Sequence, residues 1–64
     1  MNLIEGLQAE LKRNRELKAL YDTIPTGGFG SAMIALDISN GEQSIALGDT
    51  VLMLKTYKAL KDNE

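Results

Sequence analysis

The stretch Thr23-Ile24-Pro25-Thr26-Gly27-Gly28-Phe29-Gly30 is the one obvious break in this chain, and it decides what the rest can build. Pro25 biases Ile24 away from helical angles. Gly27, Gly28 and Gly30 then allow a tight reversal. The segments on either side carry no repeat, linker or low-complexity tract. A chain of 64 residues with one such reversal reads as one small domain of a few long elements.

From about Asn2 to Asp22, Leu3, Leu7, Leu11, Leu17, Leu20 and Tyr21 recur at helical spacing, and Ile24 follows. The opposite face carries Glu5, Glu10, Lys12, Arg13, Arg15, Glu16 and Lys18. The spacing predicts an amphipathic helix capped at its start by Asn2. The pairs Glu10 with Arg13 and Lys12 with Glu16 lie one turn apart. Asn14 interrupts the apolar stripe between Leu11 and Leu17. It reads either as a half-exposed edge residue or as a buried amide that sets register between helices.

Phe29 to Leu47 admits two readings. As a helix, Ile34, Ile38, Gly41 and Ile45 line one face, with Met33, Leu36 and Leu47 beside it. As strands, Ile34, Leu36 and Ile38 alternate, and Asn40-Gly41 is a two-residue hairpin turn. That register sets Ile34 opposite Leu47, Leu36 opposite Ile45 and Ile38 opposite Gln43. The helix is preferred. The flanking residues are mainly helix formers, and no third strand supports a hairpin. Gly48-Asp49 also reads as a helix stop followed by a helix cap. Thr26 or Ser31 is the expected cap at the start of this second helix. A mid-helix Gly41 costs about 1 kcal/mol against Ala unless a neighbour needs close approach.

From Thr50 to about Lys61, Met53, Tyr57 and Leu60 repeat at helical spacing, and Lys55, Lys58 and Lys61 mark another face. The expected fold class is all-α: an antiparallel hairpin of two long helices plus a short C-terminal helix. The second helix is apolar nearly all round, which is typical of a helix buried on more than one side. A homo-oligomer is therefore expected, with Asn14, Ile34, Ile38, Gly41 and Ile45 at its interface.

Composition narrows the function. With no Cys and no His there is no disulfide, no thiolate, no Ser-His-Asp triad and no ordinary zinc site. Seven Lys/Arg against nine Asp/Glu leave a net charge of −2, with no global attraction to nucleic acid. No apolar run approaches the roughly 20 residues of a membrane span. Met1 to Glu5 lacks the basic and apolar regions of a signal peptide, so the cytoplasm is the expected compartment. Asp37 and Glu42 do not share a helix face well, and Asp49 reads as a cap. An enzyme is not expected, nor a cofactor or metal. The reversal exceeds the three or four residues of a DNA-binding helix-turn-helix.

One arrangement points to a ligand. A glycine-rich turn that opens a helix presents backbone N–H groups at the positive end of the helix dipole. Thr26, Gly27, Gly28, Phe29, Gly30 and Ser31 form such a turn. Arg13 and Arg15 on the first helix, with Lys58 on the third, could flank a phosphorylated small molecule. In the structural alternative the turn is a plain reversal and Phe29 plugs the end of the hairpin.

Gly27-Gly28-Phe29-Gly30, then Met33-Ile34, Gly48-Asp49, Met53-Leu54, Tyr57 and Leu60, resembles small helical accessory proteins of phages and prophages. The resemblance implies a protein acting in the host cytoplasm. Some accessory proteins of that kind bind and block a host defence complex, and others sequester cyclic nucleotides. No functional residue carries over. The leading expectation is a non-enzymatic interaction protein that oligomerises and binds a host factor. The alternative is a binder of a nucleotide or cyclic nucleotide.

Overall fold

A computed structural model describes residues 2–64. Three α-helices follow one another: α1 (Leu3–Asp22), α2 (Gly28–Leu47) and α3 (Thr50–Lys61). Each packs against both of the others. The body measures 36 × 19 × 16 Å. Its long axis is therefore little more than one 20-residue helix, which spans about 30 Å. The chain is an α1–α2 hairpin with α3 folded back across it.

The helix ends follow from local chemistry. Asn2 Oδ1 accepts from the Glu5 N–H at 2.8 Å, and Asn2 Nδ2 donates to Glu5 Oε1 at 3.2 Å. This reciprocal cap satisfies one of the free N–H groups at the start of α1. At the other joint Gly48 takes φ 65°, a left-handed angle that favours glycine. Asp49 N–H then reaches back to the Ser44 carbonyl at 3.1 Å. Asp49 Oδ1 accepts from the Leu52 N–H, also at 3.1 Å, and opens α3. Stop and start thus lie on adjacent residues, as the sequence indicates.

The first reversal differs from expectation. Neither Thr26 nor Ser31 caps α2: its N-cap is Gly27, with no side-chain hydrogen bond. Ser31 lies inside the helix, and its hydroxyl donates back to Asp22 Oδ1. Among the described residues only Gly48 has a positive φ, so the turn glycines are not there for left-handed angles. A Cβ at Gly27 would overlap the Tyr21 carbonyl oxygen, and one at Gly30 would strike the Tyr21 ring. Phe29 is not a plug. It is 81% exposed, because the Tyr21 ring lying over Gly30 already fills the end of the hairpin.

α2 runs unbroken through Asn40-Gly41, so the hairpin alternative is replaced by helix. The reason is tertiary. A Cβ at Gly41 would lie 2.9 Å from Leu11 Cδ2 and 3.2 Å from Leu60 Cδ1. At Gly41 side chains of both α1 and α3 press against α2, and that contact offsets its poor helix propensity. Around it the core holds Leu7 and Leu11 of α1, Ile34 and Ile38 of α2, and Met53 and Leu60 of α3. Leu3, Leu17, Tyr21, Ile45 and Tyr57 pack against this cluster, whereas Leu20 and Ile24 are exposed.

Besides Ser31, Ser44 and Thr56 are buried hydroxyl residues. Ser44 Oγ donates to the Gly41 carbonyl at 2.7 Å, and Thr56 Oγ1 to the Met53 carbonyl at 3.1 Å. Each is satisfied by its own helix. Small side chains of this kind let α2 and α3 pack closely without stranding a polar atom.

Candidate functional site

The glycine-rich turn and the basic residues do not converge. Arg13 and Arg15 are two positions apart on α1, a spacing at which side chains do not share a face. Arg13 turns toward α3. Its Nη2 donates to the Leu60 carbonyl at 2.7 Å and lies 2.9 Å from Glu10 Oε1. Arg15 turns toward α2, where its Nη2 is 3.9 Å from Glu42 Oε2. Lys58 lies exposed in the last turn of α3, where it complements the helix dipole. Of the two predicted pairs on α1, Glu10 with Arg13 forms. Lys12 with Glu16 does not appear among the ion pairs of the described residues, whereas Lys18 pairs with Asp22 at 2.9 Å.

The surroundings of the turn are acidic. Asp22 takes the Ser31 hydroxyl, and Asp62 and Glu64 line the adjoining cleft with Tyr21, Phe29 and Gly30. The hydrogen bond from Ser31, reinforced by Lys18, holds the Asp22 carboxyl below the usual carboxylate range. A lowered folded-state value means stability that is present above the unfolded value and lost as pH falls through the folded one. The Asp22 contribution should therefore persist at neutral pH and fade below about pH 4. Carboxyl NMR titration checks this. The Asp22 midpoint should rise in Ser31→Ala, and an unchanged midpoint would show that Ser31 is not its cause.

The five residues expected between copies lie inside one copy. Asn14, Ile34, Ile38 and Gly41 are buried, and Ile45 packs half-buried against them. α3 covers this side of α2 together with α1, so the chain itself supplies the partner that a second copy was expected to supply. Asn14 is a buried amide rather than a half-exposed edge residue, and its partners lie within the chain. Its Nδ2 donates to the Glu10 carbonyl at 2.8 Å and the Leu60 carbonyl at 3.1 Å. Its Oδ1 accepts from Asn63 Nδ2 at 3.0 Å. Asn63 Nδ2 also donates to Asp37 Oδ2 at 3.0 Å, which ties the C-terminal end of α3 to both long helices.

What remains unpartnered is the outward side of α2. Three rows with a seven-residue spacing run along it. Phe29, Leu36 and Gln43 form the first, Ala32, Ser39 and Ala46 the second, and Met33, Asn40 and Leu47 the third. All but half-buried Asn40 are exposed, with Leu36 at 53% and Leu47 at 66%. None is charged. The only charges on the helix, Asp37 and Glu42, lie at its flanks beside Asn63 and Arg15. Other exposed apolar residues fall in pairs one turn apart, Leu20 with Ile24 after α1 and Val51 with Leu54 on α3, with Glu16 and Lys58 one turn away.

This face was missed because α2 is apolar around most of its circumference, which hides the side turned to the core. The available signal was that the only charges of α2, Asp37 and Glu42, fall outside these three rows.

Among the described residues no group of acidic side chains could hold a metal ion, and no helix is long and apolar enough to cross a membrane. No protein-family model, curated protein or solved structure matches the chain.

Proposed function

We propose that this protein is a non-enzymatic interaction module that works as a homo-oligomer, with the outward side of α2 as its docking surface. One observation carries the reading: a 20-residue helix whose solvent side bears Phe29, Met33, Leu36 and Leu47 and no charge. Exposed apolar faces of this kind mark interaction sites more often than idle surface. Burying each large side chain contributes about 1.5–3 kcal/mol, so several together can offset the cost of association.

A host protein, as the resemblance to phage accessory proteins implies, would meet the outward sides of α1 and α3, which a homo-oligomer displays in more than one copy. The nucleotide alternative draws less support, since Arg13 and Arg15 are engaged by different helices and acidic residues surround the turn.

The test is a charge placed mid-face. Leu36→Glu leaves the core intact, because Leu36 lies on the solvent side. It should weaken self-association at least about 30-fold, the effect of losing a central anchor. Leu20→Glu, an exposed apolar position on α1, should leave association unchanged. Both are read by sedimentation equilibrium. Equal association in the wild type and Leu36→Glu would remove α2 as the docking surface.

A further inference from the structure

We infer that the occupant of the α2 face is the α2 of a second copy, lying antiparallel across a two-fold axis that passes between Asp37 and Ile38. The inference rests on the self-association proposed above and adds its geometry.

The observation is how side-chain size is distributed along the first two rows. The first carries the bulky Phe29, Leu36 and Gln43, and the second the small Ala32, Ser39 and Ala46. Antiparallel heptad packing sets each first-row residue against a second-row residue of the partner. Centred between Asp37 and Ile38, it places Phe29 against Ala46, Leu36 against Ser39, and Gln43 against Ala32. Every layer then joins one large and one small side chain, the condition for interdigitation at native density. A parallel pair would set Phe29 on Phe29 and Ala32 on Ala32, so that overfilled and empty layers alternate.

Charge points the same way. A two-fold contact pairs a surface with itself, so any charge near the axis meets its own sign. The outward face of α2 carries none. Glu42 at its edge would face Ala35 of the second copy.

Because the chain has no cysteine, one introduced thiol reports one position. Nitroxide labels on Gly28→Cys and, separately, Glu42→Cys sit at the end and near the middle of the seam edge. A Cβ at Gly28 meets nothing within 4 Å, and Glu42 is exposed. Thr26→Cys, also exposed, substitutes for Gly28 if the helix start is disturbed. At 1.5 Å per residue, the antiparallel axis separates the two copies of position 42 by about 14 Å along the helix and those of position 28 by about 29 Å.

Pulsed electron paramagnetic resonance on the dimer should therefore give a clearly longer distance for Gly28→Cys than for Glu42→Cys. Equal distances would show a parallel pair and overturn the geometry while self-association stands. A reversed order, or long distances at both positions, would move the contact off the α2 seam and overturn the inference. A protein that stays monomeric would remove the proposed function along with it.

Discussion

Asn14→Asp is expected to unfold the protein at neutral pH. Asn14 is fully buried, and its amide donates to the carbonyls of Glu10 and Leu60. The substitution keeps the shape but replaces that donor with an oxygen facing two carbonyl oxygens. An ionised carboxylate there is offset by the Asn63 amide and by the Arg13 guanidinium that shares the Leu60 carbonyl, and is opposed by the oxygens of Glu10, Leu60 and Asp37 around it. Burying a charge among them costs about 3–5 kcal/mol. A chain of this length has a total stability of only about 3–10 kcal/mol.

The pH dependence is diagnostic. Burial raises the pKa of the introduced carboxyl above its unfolded value. Stability is then greatest below the unfolded value and is lost as pH rises through the folded one. Helicity of Asn14→Asp measured by circular dichroism should be recovered at acid pH and lost toward neutrality. Asn14→Ala should cost only about 1–3 kcal/mol, because the Leu60 carbonyl keeps its 2.7 Å bond from Arg13. Similar urea midpoints for the two variants at pH 7 would mean that the amide's direction does not matter.

Gly41→Val is the second large effect. Even a single Cβ there would lie 2.9 Å from a methyl of Leu11, which is itself only 2% exposed. On the other side Leu60, fully buried, stands 3.2 Å away. Valine adds two further methyls, and a β-branched residue holds them stiffly in a helix. Overpacking of this kind costs about 1–3 kcal/mol, and pressing two helices apart at once belongs at the upper end.

Gly41→Ala is the informative control. A helix propensity gain of about 1 kcal/mol works against a smaller clash, so its net change should be slight. Urea unfolding of the two variants measures the difference. A Gly41→Val protein as stable as the wild type would show that the three helices do not converge at this residue.

Both residues show where the sequence was legible. Gly41 in mid-helix is readable as a cost that some close neighbour must justify, and Leu11 and Leu60 are those neighbours. Asn2, Gly48 and Asp49 were legible because a cap depends on residues three or four positions away. Asn14 stood out as a break in an apolar stripe. Its partners Leu60 and Asn63 lie 46 and 49 residues further on, beyond the reach of periodicity. Ser31 looked like a cap by its position after glycines, yet the helix begins three residues earlier and frees its hydroxyl for Asp22.

The candidate site was the least legible part. Periodicity separates a core face from a solvent face only when the two differ in polarity, and along α2 they hardly do. Ile34 and Leu36 are equally apolar, but one is buried and the other is not. What separates them is the path of α3, set by the joint at Gly48-Asp49 and by the small residues Gly41, Ser44 and Thr56. Size and close approach carried information that hydrophobicity did not.

Sedimentation velocity of the unmodified chain tests the self-association claim most directly. The polypeptide mass is 7.0 kDa. At tens of micromolar and neutral pH the predicted result is a species of twice that mass, which reverts to the monomer on dilution and in Leu36→Glu. A single 7.0 kDa species at every concentration would contradict it.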